Sequence, residues 1–437
     1  MKTFLLIIFF FAANNFLQSN NLPLQQNQDI LVDSVIILGN NKTKSFVILR
    51  EMTLRSGSVI TDEAIDYDKK RIYSLQLFNS VEILKVETTI HKYNLLVVVT
   101  ERWFLYPIPI LGIKDRDWKK IYYGAGIVDI NFRGRNEKIY AIGTLGYEPS
   151  LQLSYRNPQI DFWKDVFINT SFGYFENENK SLSLQNDAAN FFQYHTSASL
   201  SIGKRFQTSH TAWMHFGYEV VKLSDYQPGR LLNAWGKDAF PIFSTGYNYD
   251  TRDLNDYTLF GSYINFSISK FGLFEKNINY WKYSFDYRRF IPLVPDVVLA
   301  FRSFGTFSSG GKLPSYKHVY FGYSERIRGH YKNIYEGENV LGSSAELRIV
   351  LLQPQYFNLD FMPMPEFSVW KFGIAAALFG DAGNVWYRKQ PLAIGNFKKG
   401  YGAGLHFMLP YHFVFRAEYA INEIRKGEFI FDISAAF

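Results

Sequence analysis

Apolar and polar positions follow two different periods along this chain, and the change falls near Trp103. Before it, helical spacing alternates with strand-like runs. Val32 to Leu38 reads as a strand closed by Gly39-Asn40-Asn41, a turn signal. Thr43 is placed to cap a helix over Lys44 to Met52, whose Phe46, Ile48 and Leu49 are apolar. Gly57 ends it. Thr61-Asp62-Glu63 opens a second helix with two acids in its first turn, where the helix dipole favours them. Ile65, Ile72, Leu75 and Phe78 supply its buried face. Asn79 to Ile90 and Asn94 to Glu101 read as a hairpin about His91-Lys92-Tyr93. The predicted order is strand, helix, helix, strand, strand.

After Trp103 the helical period disappears and alternation of period two persists to the end. Ser150 to Arg156 puts Leu151, Leu153 and Tyr155 on one face. Trp281 to Arg288 sets four aromatics against Lys282, Ser284, Asp286 and Arg288, and Phe413, Phe415, Ala417 and Tyr419 oppose Arg416 and Glu418. Strands are expected to begin near residues 104, 120, 137, 150, 164, 191, 210, 240, 258, 280, 296, 342, 370, 400, 413 and 428. That is sixteen, an even number, as an up-and-down barrel requires. Most connections are short. Ser308 to Leu341 is the exception, and a connection of that length is usually functional or disordered.

Alternation alone fits a soluble sandwich as well as a membrane barrel. Three features favour the barrel. The segments approach the length a tilted spanning strand needs. The chain opens with one lysine and an apolar run from Phe4 to Ala13, which reads as a secretory signal too short to span a bilayer. It closes on an aromatic, Phe437, after Glu428-Phe-Ile-Phe-Asp-Ile-Ser. The expected layout is a signal peptide over 1–19, a polar linker over 20–30, a small α/β domain over 31–102 and a sixteen-stranded transmembrane antiparallel barrel over 103–437. The aromatic content of 18% suits girdles at two membrane interfaces. The absence of cysteine excludes disulfides and thiolate metal sites. A net charge of +7, spread along the chain, reads as partners for lipid phosphates or lumen carboxylates and not as a nucleic-acid footprint.

Two motifs carry the candidate chemistry. Glu325-Arg326-Ile327-Arg328-Gly329-His330 lies in the long connection, and Phe379-Gly380-Asp381-Ala382-Gly383-Asn384 ends an apolar run. A guanidinium holds a carboxylate through two parallel hydrogen bonds, which fixes geometry as well as charge. The alternative is that each charge is solvated separately in a surface turn.

Context comes from resemblance. The N-terminal unit resembles a POTRA module, on Leu38-Gly39-Asn40, Ile48-Leu-Arg50-Glu51, Arg71 to Phe78 and Leu95 to Glu101. From there to residue 437 the chain resembles the BamA/TamA superfamily of outer-membrane proteins, which includes two-partner secretion exporters. The two motifs above carry that resemblance, with Asp129 to Arg135, Ser154 to Pro158 and the mid-barrel motif containing Asp250, Arg252 and Asp253. It implies that the long loop folds back into the lumen, that Arg328 pairs with Asp381, and that Gly329 permits the tight backbone there, with Ile327 and Gly383 completing the two motifs. His330 departs from the aromatic usual after Arg-Gly, and a single POTRA departs from the several of central assembly proteins. The implied function is non-enzymatic insertion or translocation of proteins, with no cofactor and no metal. The implied partners are outer-membrane lipid and lipopolysaccharide, an unfolded client chain, and periplasmic accessory proteins reached through the POTRA. A passive porin-like channel, or a surface antigen that kept the fold without the activity, are the alternatives.

Pro107 and Pro109 in Tyr106 to Ile113 strip two donors from one strand edge, since alternate residues point their backbone groups the same way. Either that edge faces the last strand, near Phe437, as a weak seam, or the segment is a linker outside the membrane. Gly124-Ala-Gly126 and Gly400-Tyr-Gly-Ala-Gly404 lack the following helix and Lys-Ser/Thr of a phosphate loop, and read as sites of bending or close packing.

Overall fold

The computed structural model describes residues 30–433, apart from 115–117, 161–164, 180, 182–190, 226–229, 234–235, 255–256, 360–368 and 411–412. The expected signal peptide and nearly all of the linker lie outside the described residues, as does Phe437.

The N-terminal domain comprises β1 (Leu31–Leu38), α1 (Ser45–Leu49), α2 (Asp62–Tyr73), β2 (Phe78–Thr89) and β3 (Lys92–Glu101). Its sheet runs β1-β3-β2, with β1 parallel and β2 antiparallel to β3. Val47, Ile48, Ile72, Leu77 and Val97 form the core between helices and sheet. Thr61 caps α2 by accepting the Ala64 N–H. Thr43 does not cap α1, which is shorter than expected and starts after Lys44 without a side-chain cap. The Thr43 hydroxyl is taken instead by Asn131 Nδ2 at 2.9 Å, and its N–H by Glu101 at 2.6 Å.

The rest forms β4 (Leu105–Ile113), β5 (Ile121–Phe132), β6 (Glu137–Gly146), β7 (Ser150–Asn157), β8 (Val166–Glu178), β9 (Phe192–Phe206), β10 (His210–Leu223), β11 (Lys237–Asp250), β12 (Gly261–Phe271), β13 (Tyr280–Val294) and β14 (Val297–Gly310), then the short β15 (Val319–Phe321) and β16 (Tyr335–Gly337), then β17 (Asn339–Asn358), β18 (Val369–Trp386), β19 (Lys398–Met408), β20 (Val414–Asn422) and β21 (Gly427–Ile433). All except β15 and β16 join one sixteen-stranded sheet, ordered by sequence from β4 to β21 with antiparallel neighbours. The short pair makes a hairpin inside the long connection.

The sheet has the polarity of a membrane barrel. Outward residues are apolar and uncovered, such as Leu111 at 83% and Leu145 at 61% exposure, while the inward Glu346 and Arg348 are at 1% and 0%. A soluble core would reverse that. The sheet also curls on itself, since the β11–β12 turn reaches across to His406 on β19.

The N-terminal domain sits over one mouth of this barrel. Lys44 N–H donates to the Gly134 carbonyl at 2.8 Å, Arg50 to Gln159 at 3.2 Å, Arg71 to the Thr208 carbonyl at 3.1 Å and Ser74 to the Asp253 carbonyl at 3.4 Å. Those four partners lie in the turns after β5, β7, β9 and β11. The junction centres on Glu51 of the domain. It receives Arg205 of β9 through two bonds, at 2.6 and 2.7 Å, and Arg71 at 2.8 Å. Burial pushes the Glu51 carboxyl up, but the Arg205 guanidinium, with Arg71 and Arg50, outweighs it and brings the pKa down to about 2.

A carboxylate held below its unfolded value contributes stability that is complete above about 4.5 and lost as pH falls towards 2. Glu51→Gln is expected to loosen the domain from the mouth by about 3 kcal/mol at neutral pH, since it leaves guanidinium groups without their counter-charge. Amide exchange of α1, corrected for intrinsic rate, checks this. Parent and variant should differ at pH 7 and converge near pH 2. Equal protection at pH 7 means that the ion cluster does not hold the domain.

Candidate functional site: an arginine loop inside the barrel

The connection between β14 and β17 turns inward because glycines leave it a trough. Inward positions alternate along each strand, and Gly342 on β17, Gly383 on β18 and Gly400 on β19 all face the lumen. A Cβ on Gly400 would overlap the Arg328 carbonyl oxygen, and one on Gly383 or Gly342 would lie 2.5 Å from a ring carbon of Phe321 or Phe304. Phe321, Ile327 and Val340 pack together in that trough. Gly329 has φ of +95°, a conformation that side chains with a Cβ rarely adopt.

That path delivers Arg328, 5% exposed, against the wall formed by β17 to β20. Its Nε and Nη2 donate in parallel to the two Asp381 oxygens, each at 2.8 Å. Nη2 also reaches Ser344 Oγ at 3.0 Å, and Nη1 reaches Glu346 at 2.7 Å and Glu418 at 3.1 Å. All five N–H donors of the guanidinium are thereby used. The backbone N–H of Arg328 adds a bond to Asp381 at 3.0 Å, and the Phe379 ring lies 3.6 Å beneath the guanidinium carbon. Arg328 therefore binds three carboxylates, where the sequence suggested one.

The acids have further partners. Glu346 receives Arg348 at 2.8 Å, and Arg348 donates at 2.8 Å to the Thr258 carbonyl in the β11–β12 turn. Glu418 bonds His406 at 3.1 Å, and the other His406 nitrogen meets the Tyr257 hydroxyl of that turn at 3.1 Å. Arg416 joins Glu418 to Asp432 on β21. Glu346, His406 and Glu418 present donor atoms within 4.8 Å of one another, a spacing a metal ion accepts. The Arg328 guanidinium already bonds both carboxylates of that set.

The other motif residues lie elsewhere. His330 does not stack on Arg328; it bonds Glu423 at 2.6 Å and Tyr335 at 2.9 Å, and the ring under the guanidinium comes from the wall. Asp250 and Arg252 form a bidentate pair at the start of the β11–β12 turn, at 2.8 and 3.0 Å. Asp253 accepts the Leu259 and Phe260 N–H groups and faces Lys70 of α2 at 3.7 Å, so it shapes the turn that carries Tyr257. Pro107 and Pro109 belong to β4 and not to a linker. The Phe104 carbonyl and the Lys114 N–H bond towards β5, so the odd-numbered prolines point their nitrogens away from it, to the end of the sheet.

Among relatives of known type, the Omp85 superfamily domain matches residues 131–437. The chain belongs to the Omp85 superfamily. Residues 30–102 match a POTRA domain described as a surface antigen variable number repeat. Two solved structures share the fold. BamA from Haemophilus ducreyi lacking POTRA domains 1–3 is 19% identical with a TM-score of 0.55, over 93% of this chain and 84% of that one. CdiB from Escherichia coli is 12% identical with a TM-score of 0.54, over 92% and 74%. This Omp85 barrel sits in the bacterial outer membrane with its POTRA in the periplasm, and its family inserts or transports client polypeptides without enzymatic chemistry. The POTRA-side mouth is therefore periplasmic, and the Arg328 loop enters from the outer side.

Removing one partner from a buried ion network costs about 3–5 kcal/mol, because the others stay buried and uncompensated. Arg328→Ala is expected to lose that much, read as a lower temperature for the folded-to-unfolded gel shift and as protease cleavage within 322–336. Arg328→Lys should rescue only part, since an ammonium has three donors and no fork. Gly400→Val should expose the same segment with every charge intact.

Proposed function

We propose that this Omp85 barrel receives a client strand at a lateral seam between β4 and β21, while the Arg328 loop holds the neighbouring wall rigid. The observation that carries the reading is the pair of prolines. β4 and β21 are the two ends of the sheet, and no ladder joins them among the described residues. Pro107 and Pro109 present no N–H to that gap. Each missing bond is worth about 0.5–1.5 kcal/mol net in water and more in hydrocarbon, where nothing replaces it. An edge that its partner cannot fully satisfy is open to an incoming strand. On the far side, Arg416 ties β21 to β20, and Arg328 ties β20 to β17 and β18. That side is braced by ion pairs within the lumen.

The POTRA offers the first contact. Its sheet leaves β1 and β2 as free edges, and the outer half of β2 is exposed from Lys85 to Thr89. A client or an accessory protein adding a strand there would lie beside the mouth. Lipid and lipopolysaccharide surround the barrel as its solvent. The alternative of a surface antigen without transport activity differs in one outcome: loss of Arg328 leaves it without a transport phenotype.

The chain contains no cysteine, so engineered pairs report cleanly. With one cysteine on β4 and one on β21, Pro107→Val with Pro109→Val should slow seam opening and raise crosslinking several-fold. A photo-crosslinker on β4 or β2 should capture client chains in the parent and fewer in that variant. Unchanged seam crosslinking, or no client captured from either strand, refutes the seam as the route.

A further inference from the structure

The periplasmic half of the lumen holds a second charged cluster, of opposite sign and without its counter-ions. A cavity of about 490 Å3 lies between the POTRA helices and the barrel wall from β6 to β12. Arg50, Arg71, Lys138, Arg156 and Arg205 line it, against one carboxylate, Glu51. Glu51 is already committed to Arg205 and Arg71. Asp165 acts on Arg50 and Arg205.

Lys138 and Arg156 are left over. They face each other directly across β6 and β7, on the inward side. Register fixes that side, because Leu151 and Leu153 alternate with Arg156 and point outward. Neither cation has an ion-pair partner among the described residues. Arg156 faces Lys138 directly in the register. Arg102 is occupied with the Tyr106 hydroxyl. Like charges directly opposite on adjacent strands are destabilising. Elsewhere in this lumen, cations meet acids: Arg288 and Arg302 share Asp286, and Arg328 has three carboxylates.

We infer that this chamber is a phosphate-binding site, with Lys138 and Arg156 as the paired donors and the POTRA helices as its floor. Two cations at cross-strand distance match one dianion, and a planar guanidinium beside a point-charge ammonium suits phosphate oxygens. The phosphate comes from free inorganic phosphate or from a lipid headgroup; the chemistry of recognition is shared. The inference does not depend on the seam, which lies at the sheet's ends.

The full chain in phosphatidylcholine nanodiscs is titrated with inorganic phosphate and, separately, with short-chain phosphatidic acid, following phosphorus NMR line width and thermal unfolding. The double variant Lys138→Gln with Arg156→Gln is compared, with Lys204→Gln, an outward cation on β9, as control. Binding to the parent and to the control is expected, weakened about tenfold or more in the double variant by loss of two charge-assisted contacts. Without ligand the double variant should unfold no earlier than the parent, because it loses a repulsion, so poor folding does not mimic lost binding. Binding of both ligands, or of only one, supports the site and identifies its source. No binding by either, or equal binding by the double variant, overturns it.

Discussion

One buried guanidinium organises the interior of this barrel. A transmembrane barrel turns most of its apolar surface to lipid, so beyond the small Phe321–Ile327–Val340 cluster its lumen has little hydrophobic core to hold a loop in place. What remains is charge and hydrogen bonding in a space with little water. There, a network that is fully satisfied is rigid and a half-satisfied one is costly. Arg328 meets the first condition: five donors, five acceptor contacts, three carboxylates and an aromatic face beneath. Glu346 and Glu418 are balanced in turn by Arg348 and Arg416. A lysine at 328 would leave acceptors empty, and an uncharged residue would leave carboxylates buried without compensation.

The network spans the membrane because both ends contribute to it. The outer loop brings Arg328, and the periplasmic β11–β12 turn brings the Thr258 carbonyl and the Tyr257 hydroxyl to the same four strands. Asp253 in that turn faces Lys70 of the POTRA. A continuous set of polar contacts thus joins the POTRA to the outer loop through β17–β20. The opposite wall, β6 to β9, is organised differently. It meets the POTRA through Glu51 and Arg205 and keeps its spare cations facing an open chamber.

The layout of this fold was readable because period-two alternation is a direct imprint of inside and outside, and the expected strand starts fall close to the observed ones from β4 to β21. The second POTRA helix was readable for the same reason, through the Thr61 cap and its acidic first turn. Thr43 misled, because a hydroxyl before an apolar run signals a cap only when nothing else competes for it, and Asn131 lies 88 positions away in sequence. The Arg328 and Asp381 motifs could be found by resemblance. Glu346, Glu418, His406 and Tyr257 could not, since a charge on an alternating strand looks the same whether it meets water or a guanidinium. The one local hint was Gly400-Tyr-Gly-Ala-Gly404. Inward glycines at alternate positions mark close packing, and at Gly400 what approaches is the backbone of Arg328 and Gly329, while Gly402 and Gly404 make room for the Phe379 ring and the Glu418 side chain.

Two different parts of the chain therefore grip two different halves of one sheet. The POTRA holds the turns that follow β5, β7, β9 and β11, while the Arg328 loop holds β17 to β20, with β21 attached through Arg416. The same loop reaches β13 and β14, where Lys282 donates to the Lys317 carbonyl and Arg302 binds Glu325, and the prolines of β4 lie between the two grips on the other side. The turn carrying Asp253 and Tyr257 is in contact with both grips, and β18 also reaches the POTRA directly, with Lys371 over the Tyr73 ring at 5.3 Å. A shift of the POTRA at that turn reaches the lumen through the bonds that Arg348 and His406 make to it.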